Sequence, residues 1–146
     1  MHPIILTAGL LLSLAPALAA ADSAVLLDSG STNTAGFRIE VNRSGEAVYT
    51  PPPRRGRQPS EEQPKPRNRR IPSPLIKRFF ADLDAQRPFS ALPNRGCMKS
   101  VSFGTTLTVE YQGERTPDLR CGDHGHAGLK ALIQDTGEII GLFNSQ

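Results

Sequence analysis

Gly36-Phe37-Arg38-Ile39-Glu40-Val41-Asn42-Arg43-Ser44-Gly45-Glu46-Ala47-Val48-Tyr49-Thr50 is the stretch that decides the fold. In an extended chain Phe37, Ile39 and Val41 share one face and Arg38, Glu40 and Asn42 the other, the period-two pattern of a half-buried strand. Arg43-Ser44-Gly45-Glu46 supplies a glycine for a tight turn, and Ala47 to Thr50 returns as the partner strand. Upstream, Ala24 to Leu27 reads as a further short strand. Downstream, Leu75, Ile76, Phe79, Phe80 and Leu83 recur at helical spacing. Ser73-Pro74 opens that helix, with Ser73 placed to accept from first-turn amides and Pro74 at the first helical position; Arg87-Pro88 stops it. Met98 to Phe103 and Thr106 to Tyr111 read as a second hairpin around Gly104-Thr105, with Thr116 to Cys121 as a short added strand. Leu129, Leu132, Ile133, Ile140 and Phe143 outline a terminal helix, which Gly137 weakens. The expected class is α+β: a two-layer domain with an antiparallel sheet built from two hairpins and two helices on one face.

Between the first hairpin and the first helix the composition changes. Residues 51 to 74 hold eight of the thirteen prolines and seven cations, Arg54, Arg55, Arg57, Lys65, Arg67, Arg69 and Arg70, against Glu61 and Glu62. That segment carries +5 while the whole chain carries +3, so the rest sums to −2 and the basic character belongs to this insertion. With almost nothing to bury, residues 51–72 are expected to be a disordered Pro/Arg-rich linker interrupting a single domain over 22–146. Its cations suit an anionic envelope component or an acidic protein partner. No aromatic residues interleave them, and no nucleic-acid partner is expected.

Residues 3 to 21 carry no charge and are mostly Ile, Leu and Ala, ending in Ala17-Leu18-Ala19-Ala20-Ala21. A short apolar run closed by small residues has the form of a secretory signal peptide, here residues 1–21. Export to the periplasm or medium is the expectation, with no stable membrane span once the segment is removed. The two cysteines, Cys97 and Cys121, are then expected to form a disulfide.

The hairpin Gly-Phe-Arg-Ile-Glu-Val then Ser-Gly-Glu-Ala-Val-Tyr, followed by a helix, a second hairpin and a final helix, resembles a group of small exported bacterial proteins catalogued as a domain of unknown function. In that group the first hairpin is often led by a pair of cysteines, which Ser31 to Ala35 lack. The resemblance implies the fold and export, and it carries no catalytic residues over.

Three stretches invite chemistry. Val25-Leu26-Leu27-Asp28-Ser29-Gly30-Ser31 is similar to the active-site loop of retroviral-type aspartic proteases, in which two carboxylates share a proton and activate water. One Asp-Ser-Gly copy demands a homodimer, and Ile139-Ile140-Gly141 only faintly matches the second motif of those enzymes. The bland alternative is a strand ending in a turn of good turn residues. Cys121-Gly122-Asp123-His124-Gly125-His126 offers Asp123, His124 and His126 as metal ligands, or else a solvated loop with incidental histidines. The cations of the insertion are the third. The sequence thus favours an exported, non-enzymatic envelope interaction or binding module without a cofactor. A dimeric aspartic-type protease using Asp28 and a metal-binding protein using His124 and His126 are the alternatives.

Overall fold

The computed structural model describes residues 22–52 and 64–145. The expected signal segment 1–21 and the cations Arg54, Arg55 and Arg57 lie outside the described residues. Among the described residues six strands and two helices form an α+β fold. The strands are β1 (Ser23–Asp28), β2 (Phe37–Asn42), β3 (Glu46–Thr50), β4 (Arg67–Arg70), β5 (Leu107–Tyr111) and β6 (Glu114–Arg115); the helices are α1 (Ser73–Ala85) and α2 (Ala127–Asn144). All described strand pairs are antiparallel, in the order β4-β3-β2-β1-β5-β6.

Register turns the alternating sequence into one apolar face. Leu26 pairs with Ile39 on one side and Val109 on the other, and Ala24 with Val41 and Tyr111. These residues are buried, while Val25, Leu27, Arg38 and Glu40 on the opposite face are half-buried or exposed. Helix α1 lays Leu75, Ile76, Phe79, Phe80 and Leu83 on the apolar face, and α2 adds Leu129, Leu132, Ile139 and Phe143. Edge-to-face contact of Phe80 with Tyr111 and a Tyr49–Phe143 contact tie the layers together. At one end of the sheet the Tyr111 hydroxyl donates to Asp84 at 2.7 Å and accepts from Arg43 at 2.5 Å. Burial pushes the Tyr111 phenol above its ordinary value, and its bond to Asp84 adds to that.

Four expectations change. The second hairpin is β5–β6, and residues 98–103 form no strand. The free edge of β5 is already occupied: Asp118 Oδ1 accepts from Leu107 N–H, Thr116 Oγ1 accepts from Val109 N–H, and Thr116 N–H donates to Val109 O. No ladder positions remain for residues 98–103. Residues 116–121 likewise cap that edge and then make a single 3-10 turn, Leu119–Cys121, in place of a strand.

The disordered linker expected over 51–72 does not hold for its last residues, because Arg67–Arg70 is a strand paired with β3 and Ile71 is buried; residues 53–63 lie outside the described residues. Arg67 and Arg69 face the helix layer, where their guanidinium groups lie 4.4 Å from the Tyr49 ring and 5.8 Å from the Phe143 ring. Arginine brings an apolar stem and a cation that aromatic faces attract, so it can complete a core edge that composition alone reads as solvated. Finally, α1 begins with Ser73 already helical and Pro72 as the flanking residue, with no side-chain cap. Pro74 removes one of the amides that would otherwise need capping.

Candidate functional site

Asp28 stands at the end of β1, where three chain segments meet. Its side chain is 2 % exposed. Oδ1 accepts from Gly30 N–H at 2.9 Å; Oδ2 accepts from the Thr105 hydroxyl at 3.1 Å and from Arg120 at 2.5 and 3.1 Å. The carboxylate is therefore consumed by an ion pair and two neutral donors, the way a buried charge is satisfied. The second protease-like run, Ile139-Ile140-Gly141, lies inside α2.

The loop after Asp28 folds back on itself. Gly30 has φ +62°, and a Cβ there would lie 2.5 Å from Gly36 N; a Cβ on Gly36 would lie 2.4 Å from Asp28 O. Only glycine permits this backbone-on-backbone closure. Once closed, residues 29–33 present a row of partners to the segment 97–106. Ser29 N–H donates to Thr106 O, Thr106 N–H to Ser29 Oγ, and both Asn33 N–H and the Ser31 hydroxyl donate to Ser102 O.

From the other side the segment is held by the Cys97–Cys121 disulfide and by Lys99, whose ammonium turns inward onto Thr105 O at 2.6 Å and onto the Asp118 carboxylate. Burial pushes the Asp118 carboxyl up, but the Lys99 ammonium and the amides of Leu107 and Arg120 outweigh it and hold the group below the usual carboxylate range. Gly104 N–H donates to Ser100 O and closes the tip.

Every polar anchor of this loop points into the protein, and its large apolar side chains do not. Met98 is fully exposed, Val101 is 90 % exposed and Phe103 66 %. Met98 and Phe103 themselves, with Thr34, Cys97, Lys99, Gly104, Thr105 and Arg120, line a shallow recess of about 390 Å3. Folding hides such side chains when it can, so a fixed projection of three is the informative surface feature of this chain.

The other candidates are placed as follows. His126 flanks the start of α2 and its Nδ1 accepts from Leu129 N–H at 3.2 Å; Asp123 Oδ1 accepts from Gly125 N–H; His124 is exposed with φ +50°. Among the described residues the grouping of three metal-type donors is Cys97, Asp118 and Cys121, and its two sulfurs are joined to each other. Of the described cations of the insertion, Arg67 donates to the last-turn carbonyl of Phe143 at 3.0 Å, Arg70 lies 4.0 Å from Glu46, Arg69 covers the Phe143 ring, and Lys65 is exposed just before β4.

Met98, Val101 and Phe103 escape a sequence reading because they resemble strand residues. Lys99, Thr105, Asp118 and Arg120 escape it because nothing in their spacing announces that they converge on one loop. No family model matches the chain, and no curated protein matches it in sequence.

Proposed function

We propose that this protein is an exported, non-enzymatic interaction module that docks through the loop 97–104, with Met98, Val101 and Phe103 as its anchors. The observation carrying this reading is the contrast within that loop: its backbone and Lys99 are fastened to the domain, and its apolar side chains face solvent. A preordered apolar projection loses little conformational freedom on binding, which favours affinity from a small contact. Export is supported by the apolar residues 3–21 and by the use of both cysteines in a disulfide. Among the described residues no helix is long and apolar enough to cross a membrane.

Asp28 serves this module as a clasp between β1, Thr105 and Arg120. In this reading the Asp28 carboxylate is engaged by the Arg120 guanidinium and not by a second carboxylate, as a water-activating dyad would require. The test is photo-crosslinking in cells from a reactive residue placed at position 101, with Thr50 on the open sheet face as the control position. Adducts from position 101 and none from position 50 are expected; equal labelling from both would refute docking through this loop.

A further inference from the structure

We propose that the outer edge of β4 is a second docking site, which takes an acidic, extended segment of a partner protein as a further strand of the sheet. This site stands apart from the loop 97–104 and does not depend on it.

The two edges of the described sheet are treated differently. On the β5–β6 side, β6 is two residues long, and Asp118 and Thr116 take up the amides of Leu107 and Val109. On the other side β4 is four residues long, and among the described residues no hydrogen bond reaches its outer backbone groups. An edge left in this state is a template for one more strand.

Alternation decides which groups face outward. Ile71 N–H donates to Gly45 O at 2.7 Å, so the residues of the same parity, Arg67 and Arg69, turn their amides toward β3. The N–H and C=O of Asn68 and Arg70 therefore point away from the sheet. Pro66 and Pro72 share that outward parity, where a missing N–H costs the β3 ladder nothing. They confine the open edge to two donors, so the segment that docks is short.

Side-chain charge selects the partner. Arg67, Arg69 and Arg70 put three cations on four residues. Arg67 and Arg69 rest on aromatic rings and Arg67 donates to a neutral carbonyl, so neither charge is cancelled. Among the described residues one carboxylate pairs with the three: Glu46, 4.0 Å from Arg70, in a pair whose side chains are 70 % exposed or more. A second copy of β4 laid antiparallel on the first sets arginines among arginines, which disfavours it. An acidic strand meets an arginine whichever way its side chains alternate, because Arg67 and Arg69 lie on the helix face and Arg70 on the other. The edge is also preordered, since buried Ile71 follows it and Arg67 ties it to the last turn of α2.

The test is fluorescence anisotropy of the full chain with a labelled octapeptide of alternating valine and glutamate. A valine–lysine counterpart and a fully N-methylated copy of the acidic peptide are measured in parallel. The acidic peptide is expected to bind, and the lysine peptide to bind about tenfold more weakly or worse. N-methylation keeps the charge and removes the ladder, and about a tenfold loss is expected from it. Arg70→Ala should weaken binding roughly threefold, with a circular dichroism melt showing that it folds. In nuclear magnetic resonance spectra the amide signals of Asn68 and Arg70 should shift on titration.

Equal binding of the plain and N-methylated acidic peptides overturns strand addition and leaves a charged patch. No binding of the acidic peptide, or shifts that spare Asn68 and Arg70, overturns the site itself. A wild-type dimer whose interface contains β4 assigns the edge to a second copy and overturns the acidic partner.

Discussion

Replacing Asp28 by alanine tests whether this residue is a clasp. The substitution leaves the Arg120 guanidinium, the Thr105 hydroxyl and the Gly30 amide without their acceptor. Removing one partner of a buried ion pair costs about 3 to 5 kcal/mol, and a hydrogen bond to a charged group about 1.5 to 3 kcal/mol. Arg120 is 44 % exposed and can turn to water, so the low end applies, about 3 kcal/mol. For a domain of this size that lowers the melting temperature by about 10 °C. Asp28→Asn keeps acceptors for Gly30 and Thr105 but loses the charge, and should cost about half as much. The assay is urea unfolding followed by circular dichroism with the disulfide intact, completed by a double-mutant cycle with Arg120→Ala. A coupling of about 1 kcal/mol or more is expected. Amide exchange at Ser29 and Thr106 should accelerate with it, because their mutual bonds depend on the same corner. A loss for Asp28→Ala below about 0.5 kcal/mol, the level of an ordinary surface change, would refute the clasp.

Three further outcomes are expected. Arg67→Ala should lose about 1 to 2 kcal/mol in urea unfolding, because it removes both a cation on the Tyr49 face and a donor to the last turn of α2, whereas Arg70→Ala should stay within about 0.5 kcal/mol. The Cys97→Ser/Cys121→Ser pair should cost about 3 to 4 kcal/mol by releasing a closed loop of 24 residues, measured in the same way. Burial pushes the Asp135 carboxyl above the ordinary carboxylate range, with Asp82 adding to the push and Arg78 opposing it. An acid raised in the folded state binds its proton more tightly there, so its contribution is lost as pH rises through the folded value; wild-type stability relative to Asp135→Asn should fall over that interval, and a pH-independent difference would contradict this.

How much of this could be read from the residues depended on the kind of signal. Strand β2 and helix α1 carry their burial in local periodicity, and both lie where alternation and helical spacing put them. The disulfide followed from the cysteine count together with the expectation of export. Residues 98–103 mislead because valine and phenylalanine favour strands, yet a strand also needs a free edge, and Thr116 and Asp118 had taken it. Arg67 and Arg69 mislead in the opposite sense: charge marks them as solvated, while the rings that receive them come from Tyr49 and from Phe143, which lies 76 residues beyond Arg67. Asp28 shows the same limit. Its local motif was legible, but its meaning lay in Thr105 and Arg120, far along the chain.

The position of β1 has a kinetic consequence. As one of the two middle strands of the described sheet it borders β2, which follows after the loop 29–36, and β5, so that Leu26 finds one neighbour at Ile39 and the other at Val109. The first hairpin can form early, yet the sheet has no completed middle until residue 109 is available. Closing a connection of that length comes late, since the loss of chain freedom precedes the reward of contact. Most of the polypeptide must therefore be synthesised before the domain can lock, which leaves the preceding chain threadable for as long as it is being made.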